Sequence, residues 1–209
     1  MKRLLLLLLC LIGEARGQHI MPPVMLDIPV TEARIRLGHR LFFETRVSDD
    51  NTVSCATCHN PETGWADHNV VAVGVRGLTQ VNNPRNSPTI INAVFAPLQF
   101  HDSRTVGIVT QALQPIVNAV EMGTQTEQQV LDRLRSDATY VRDFVEAYGP
   151  RNPTAITGRR FGHAIASFES TVISFDAPMD RRQQGNLVLS PMAEIGYGLF
   201  IKSHCMQCH

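Results

Sequence analysis

Apolar residues recur along this chain at helical spacing and almost nowhere at the alternation of a strand. Ile35, Leu37, Leu41 and Phe42 form one stripe, with Thr31 placed to cap it and Glu32 in its first turn. Val130, Leu131 and Leu134 form a second, behind Thr124 and Glu127 at capping-box spacing. Tyr140, Val141, Phe144, Val145 and Tyr148 form a third, closed by Gly149-Pro150. Phe161, Ile165, Phe168 and Val172 form a fourth, and a helix is also expected over 104–114, up to Pro115. Ser190-Pro191 opens the last helix, which carries Met192, Ile195 and Leu199 on one face and Glu194 in its first turn. These stripes read as core. With no alternating run of strand length, the expected fold class is mainly α.

The polar stretches hold the chemistry. Residues 48–59 form a loop that ends in "CATCH", with Cys55, Cys58 and His59. Residues 60–92 are rich in Gly, Pro and Asn and read as a further loop with little regular structure. The chain closes on a second copy of the motif, "CMQCH", with Cys205, Cys208 and His209. Each copy follows an apolar helix, one with Leu41-Phe42-Phe43 and the other with Leu199-Phe200-Ile201, as if one small unit were used twice.

The N-terminal run "MKRLLLLLLCLIGEARGQ" bears on what those cysteines are. Lys2 and Arg3 precede a short apolar stretch, and Ala15-Arg16-Gly17 makes a cleavage site before Gln18. The run is far short of the roughly 20 residues of a membrane span. Residues 1–17 are therefore expected to be a signal peptide, and the chain to be exported. Cleavage removes Cys10 and leaves two C-x-x-C pairs. Disulfides are the first guess in an oxidising compartment, but both pairs carry a histidine directly after the second cysteine. A redox dithiol needs no such histidine, and a zinc site needs further ligands. Two thiols at this spacing reach the two vinyl groups of one haem, and the histidine supplies a nitrogen to its iron. The motifs thus predict two covalently bound haem c groups. Lys plus Arg equals Asp plus Glu, at 19 each over 209 residues, so no basic surface argues for nucleic acid.

Four segments carry a resemblance: "LGHRLFFETRVSDDNTVSCATCHNPETGWAD", "NPRNSPTIINAVFAPLQFHDSR", "QALQPIVNAVEM" and "LFIKSHCMQCH". In order and separation they resemble the bacterial di-haem cytochrome c peroxidases and their MauG-type relatives. The resemblance implies a cytochrome c-like domain over 18–175, with the peroxidatic haem on Cys55, Cys58 and His59. It implies the beginning of a second such domain over 176–209, with the electron-transfer haem on Cys205, Cys208 and His209. Hydrogen peroxide would be reduced to water in the periplasm, with a small cytochrome c or copper protein as donor. Calcium, held in part by Asn86, belongs to the same expectation, and a homodimer is compatible with it. Glu121 matches the family's distal acid–base, and Gln111 a distal glutamine able to hydrogen-bond the bound oxygen. The alternatives are a MauG-type oxidase that modifies a partner protein and a non-enzymatic di-haem electron carrier.

Three departures qualify the match. Many members carry an iron-binding histidine shortly before the Pro-Arg-Asn-Ser segment, where this chain has Val75. Many have a tryptophan between the haems, where this chain has His101 in "QFHDSR". The family's chains also run on past the second motif, so the ending at His209 is expected to mark a truncation. Among the other histidines, His19 lies near the mature N-terminus, and His39 and His163 read as helix-surface residues. His204 directly precedes Cys205 and is read as lying at the second haem edge. With no histidine at Val75 the first iron is expected to be open on its distal side; His68 and His101 are the nearby histidines that would otherwise close it.

Overall fold

The computed structural model describes residues 26–27, 29–82, 84–150 and 156–208; the expected signal peptide, His19 and His209 lie outside them. The chain divides between Ser174 and Phe175 into two compact units. The protein is mainly α, as the apolar spacing predicts.

In the first unit, α1 (Glu32–Phe42) starts at Thr31, whose Oγ1 accepts the Arg34 N–H. Its buried face is Leu37, Gly38, Leu41 and Phe42. The short α2 (Cys55–Cys58) follows, and the segment from His59 to Pro97 is irregular apart from three brief 3₁₀ turns. A two-residue ribbon pairs β1 (Leu98–Gln99) with β2 (Thr105–Val106), antiparallel. Two one-turn helices come next, α3 (Ile108–Gln111) and α4 (Gln114–Val117). The single helix expected over 104–114 is therefore two, and the second runs through Pro115. Gly107, at φ 76°, blocks a helix from starting earlier. Pro115 sits in the first turn of α4, where its missing N–H would have no helical partner.

The unit is completed by α5 (Glu127–Arg135), α6 (Ala138–Tyr148) and α7 (Gly158–Glu169). The capping box of α5 is two residues later than the spacing of Thr124 and Glu127 suggests. Thr126 accepts from Gln129 N–H, and its own N–H donates to Gln129 Oε1 at 3.2 Å. Thr124 is buried, and its hydroxyl donates to the Ile116 carbonyl. The sequence "TQTEQQ" holds both spacings, and tertiary packing chooses between them.

The core sits where α1 crosses α7. A Cβ on Gly38 would lie 1.9 Å from the Ala164 carbonyl oxygen, so only glycine permits this approach. Phe42 is wholly buried among Phe168, Trp65 and the ring of His59, with centroids 5.1, 5.9 and 6.5 Å away. His163, expected at the surface, is fully buried and meets the Tyr148 hydroxyl at 3.0 Å. The polar partner is what makes that burial affordable for an imidazole. His39 is exposed, as expected.

The second unit, from Phe175, holds α8 (Pro178–Gln183) and α9 (Pro191–Lys202), the latter capped by Ser190. Arg182 grips Glu194 with two nitrogens at 2.7 and 2.8 Å. Met192, Ile195 and Leu199 are 77, 60 and 58% exposed, against the expectation that they form core. The six-residue α8 is too short to cover them. Cys205 opens a final 3₁₀ turn that ends at Gln207. Among the described residues, no helix is long and apolar enough to cross a membrane.

Candidate haem site

The first Cys-x-x-Cys-His motif opens on a cavity of about 410 Å³, lined from residues as far apart as Val53 and Glu169. That volume lies in the range of a small-molecule or cofactor site. Cys55 and Cys58 stand one turn apart on α2, and His59 caps the helix by donating its N–H to the Cys55 carbonyl at 2.9 Å. Helical geometry thus puts both thiols and the imidazole on the same cavity. Burial pushes the Cys55 thiol up to about 12, with the Glu169 carboxyl adding to the effect. Burial, then the charge of Asp67, raises Cys58 as well. Both sulfurs are neutral thiols, the form that can add S and H across a vinyl bond.

His59 is prepared as a ligand. Its Nδ1 lies 2.9 Å from the Pro88 carbonyl, which fixes the proton there and leaves the Nε2 lone pair for a metal. Desolvation lowers its pKa, which keeps the ring neutral. Arg85 and Arg104 also line the cavity and flank Asp102 at 3.5 and 2.7 Å. Two guanidinium groups suit the two propionates that a haem carries. Thiols, ligand nitrogen, volume and cations together fit a haem c.

Across the sequence, Gln111 and Glu121 line the same cavity. The Glu121 backbone is pinned from two sides. Val75 N–H donates to the Glu121 carbonyl at 2.9 Å, and Asp49 N–H donates to the Met122 carbonyl at 2.8 Å. Gly74 presses so close that a Cβ there would meet the Val120 carbonyl oxygen at 1.9 Å. The carboxyl itself accepts from Asn118 Nδ2 at 2.9 Å and from Gln80 Nε2 at 3.2 Å. Burial raises its pKa above the ordinary 4.5, against the pull of Arg104 and the Gln80 hydrogen bond. A partly desolvated carboxyl on a cavity wall is a group that can both take and give a proton.

Matching of the chain to protein-family models finds the di-haem cytochrome c peroxidase family over residues 32–187. The chain belongs to that family. Among curated di-haem relatives, the cytochrome c551 peroxidase of Pseudomonas aeruginosa is 38% identical over 95% of this chain and 53% of its own length. The cytochrome c peroxidase Ccp of Escherichia coli K12 is 33% identical over 94% of this chain and 41% of its own. The methylamine utilization protein MauG of Methylorubrum extorquens is 36% identical over 87% and 50%. The chain thus spans about half the length of the curated relatives it matches. A solved MauG-like protein associated with microbial copper homeostasis superposes with a TM-score of 0.77 at 30% identity, over 90% of this chain and 54% of its own.

Other positions singled out in the sequence fall as follows. Val75 is fully buried in the core. The side chain of His68 is 73% exposed, and His68 is not among the cavity-lining residues, so its placement gives no support to a ligand role. His101 lines the cavity, with its Nε2 3.2 Å from the Asn86 carbonyl. The Asn86 amide nitrogen donates to the carbonyls of Asp67 and Asn69. Cys205 and Cys208 lie in the second unit, and their partner His209 falls outside the described residues.

Sequence reasoning missed two cavity residues of this di-haem peroxidase homologue, Gln80 and Glu169, and Asn118, which bonds Glu121 from behind the lining. Gln80 and its bond to Glu121 join loops 41 positions apart and leave no local signal. Asn118 looks like an ordinary turn residue. Glu169 could have been found: it follows Ile165 by four, which puts a carboxylate on the apolar stripe of α7. It is 6% exposed, lines the cavity, and is pushed up to about 8 by burial.

Proposed function

We propose that this chain carries the peroxide-reducing haem domain of a periplasmic di-haem cytochrome c peroxidase. The observation that carries the proposal is Glu121, a half-desolvated carboxyl on the wall of the cavity that the Cys55, Cys58 and His59 motif opens onto. Haem bound there supplies the iron and the redox chemistry that cleaves the peroxide bond. Glu121 takes a proton from one peroxide oxygen and returns it to the other, which leaves as water. The Gln111 side chain offers a hydrogen bond to the substrate. Each turnover consumes two electrons and two protons, and a small cytochrome c or copper protein is proposed as the electron source, through the haem of Cys205, Cys208 and His209. Export through residues 1–17 places the reaction in the periplasm. Calcium also belongs to the proposal: the Asp67 and Asn69 carbonyls converge on the Asn86 amide, and turning that amide presents a third hard oxygen ligand.

The test is peroxide turnover by the haem-loaded protein with reduced cytochrome c as donor. Glu121→Gln should lower it by about two orders of magnitude or more, with haem content unchanged. Near-normal turnover by that variant removes Glu121 from the mechanism. A second reading is a MauG-type oxidase acting on a partner protein, favoured by the MauG relative and the MauG-like structure. Peroxide consumption without cytochrome c oxidation would support that reading instead.

A further inference from the structure

We infer that Gln80 and Asn118 are positioning residues that confine the working proton of Glu121 to a single oxygen, Oε2. The inference rests on the acid–base role proposed for Glu121 and deepens it.

Both amides donate to the same atom. Asn118 Nδ2 is 2.9 Å from Glu121 Oε1, and Gln80 Nε2 is 3.2 Å from it. Amide nitrogen and oxygen look alike in shape, so each orientation needs its own reason. Asn118 has one: its Oδ1 already accepts the Val120 N–H at 3.1 Å, which leaves only its NH₂ to face the carboxyl. Gln80 then follows. Turning its amide over would place an oxygen against Oε1, and that contact would need a proton on Oε1, where the Asn118 N–H already points. Oε1 is therefore an acceptor twice over. The hydroxyl oxygen of a neutral carboxylic acid is the poorer acceptor, so when Glu121 is protonated its hydrogen sits on Oε2. Among the described residues, Oε2 has no hydrogen-bond partner of its own.

The chemistry gains from this asymmetry. A proton that must move between two adjacent oxygens of one small substrate is best handled by one fixed atom that first accepts and then donates. A carboxyl free to rotate would offer either oxygen, in either protonation state. Two amides from separate loops remove that freedom before substrate arrives. The same two bonds favour the carboxylate over the acid, and so oppose the effect of burial. The other charged or titratable groups facing Glu121 are Arg104, whose charge also favours the carboxylate, and Cys58, which becomes a thioether once haem is attached.

The experiment uses the full haem-loaded chain and reads two rates per haem against pH: cyanide association with the ferric protein, and peroxide turnover. Hydrogen cyanide must lose its proton on binding, so its association reports the distal base without requiring the electron donor. Gln80→Met keeps length and removes the donor. Asn118→Asp keeps the bond to Val120 N–H and removes the donor. Each removal makes the carboxylate less favourable, so the acid limb of both profiles should move up by about one pH unit, and further for Asn118→Asp, which adds a like charge. The plateau above the limb should also fall, by about threefold or more, because the carboxyl regains its freedom to rotate. If both variants give profiles that superimpose on those of the unmodified protein while Glu121→Gln is slow, the inference is wrong. It is equally wrong if the plateaus fall and the limbs stay in place, because that is the mark of general damage. If Glu121→Gln itself leaves both rates unchanged, the acid–base reading falls and takes this inference with it.

Discussion

Replacing Glu169 with glutamine should stabilise the protein at neutral pH, and by an amount that depends on pH in a defined way. Glu169 lies on the buried face of α7, 6% exposed, and no hydrogen bond reaches its carboxyl among the described residues. Burial alone pushes its pKa from the ordinary 4.5 up to about 8. Below pH 4.5 folded and unfolded chains both hold the proton, and the residue adds no penalty. Between 4.5 and 8 the unfolded chain releases it while the folded chain keeps it. Stability then falls as pH rises, by up to about 1.4 kcal/mol per pH unit. By pH 7 the loss approaches about 3 kcal/mol, and beyond pH 8 it grows no further. Glutamine cannot ionise, so the variant lacks this slope. Urea unfolding of the haem-loaded protein from pH 4 to 9 measures it, since covalent haem stays with the chain in both states. Other titrating groups cancel in the difference between the two proteins. A difference that stays flat to within about 0.5 kcal/mol from pH 4.5 to 8 would refute the reasoning.

Three further expectations can be checked directly. Phe42→Ala should cost about 3–5 kcal/mol in urea unfolding, because it empties the space between Phe168, Trp65 and His59; a cost under about 1 kcal/mol would show that the core closes around the gap. Gly74→Ala must push the loop away from Val120 and Glu121, so peroxide turnover should drop about tenfold or more with haem content intact; unchanged turnover would show that Glu121 does not depend on that contact. The first haem should give a high-spin ferric signal in low-temperature electron paramagnetic resonance, shifted by cyanide, because Val75 is core and His68 is exposed; a purely six-coordinate low-spin spectrum lost in His68→Ala would reverse that reading.

The helices were largely legible because burial imposes a 3.6-residue period on α1, α5, α6 and α7. The start of α5 was not, since "TQTEQQ" contains two overlapping capping-box spacings, and only the bond of Thr124 to Ile116 selects one. The pair of short helices at 108–117 hid behind an apolar run that ignores the turn at Gly107. The exposed face of α9 shows the limit of reading apolar stripes as core: the stripe states that a residue seeks cover, and only the fold states whether cover is at hand. The motif cysteines and His59 were legible because their chemistry is local. Glu121 entered through resemblance, and its partners Gln80 and Asn118 could not be seen at all, because the contact that matters spans distant loops.

Val75 has a consequence in time. Its side chain is locked in the core and its N–H is tied to the Glu121 carbonyl at 2.9 Å, so this loop is a wall and not a gate. A peroxidase whose resting iron is closed by a loop histidine must first be reduced to open, and therefore answers peroxide after a lag. A fixed wall has no such priming step. The protein would respond to the first molecules of an oxidative burst without waiting to be primed, and its turnover would then be set by the supply of electrons alone, two for each peroxide.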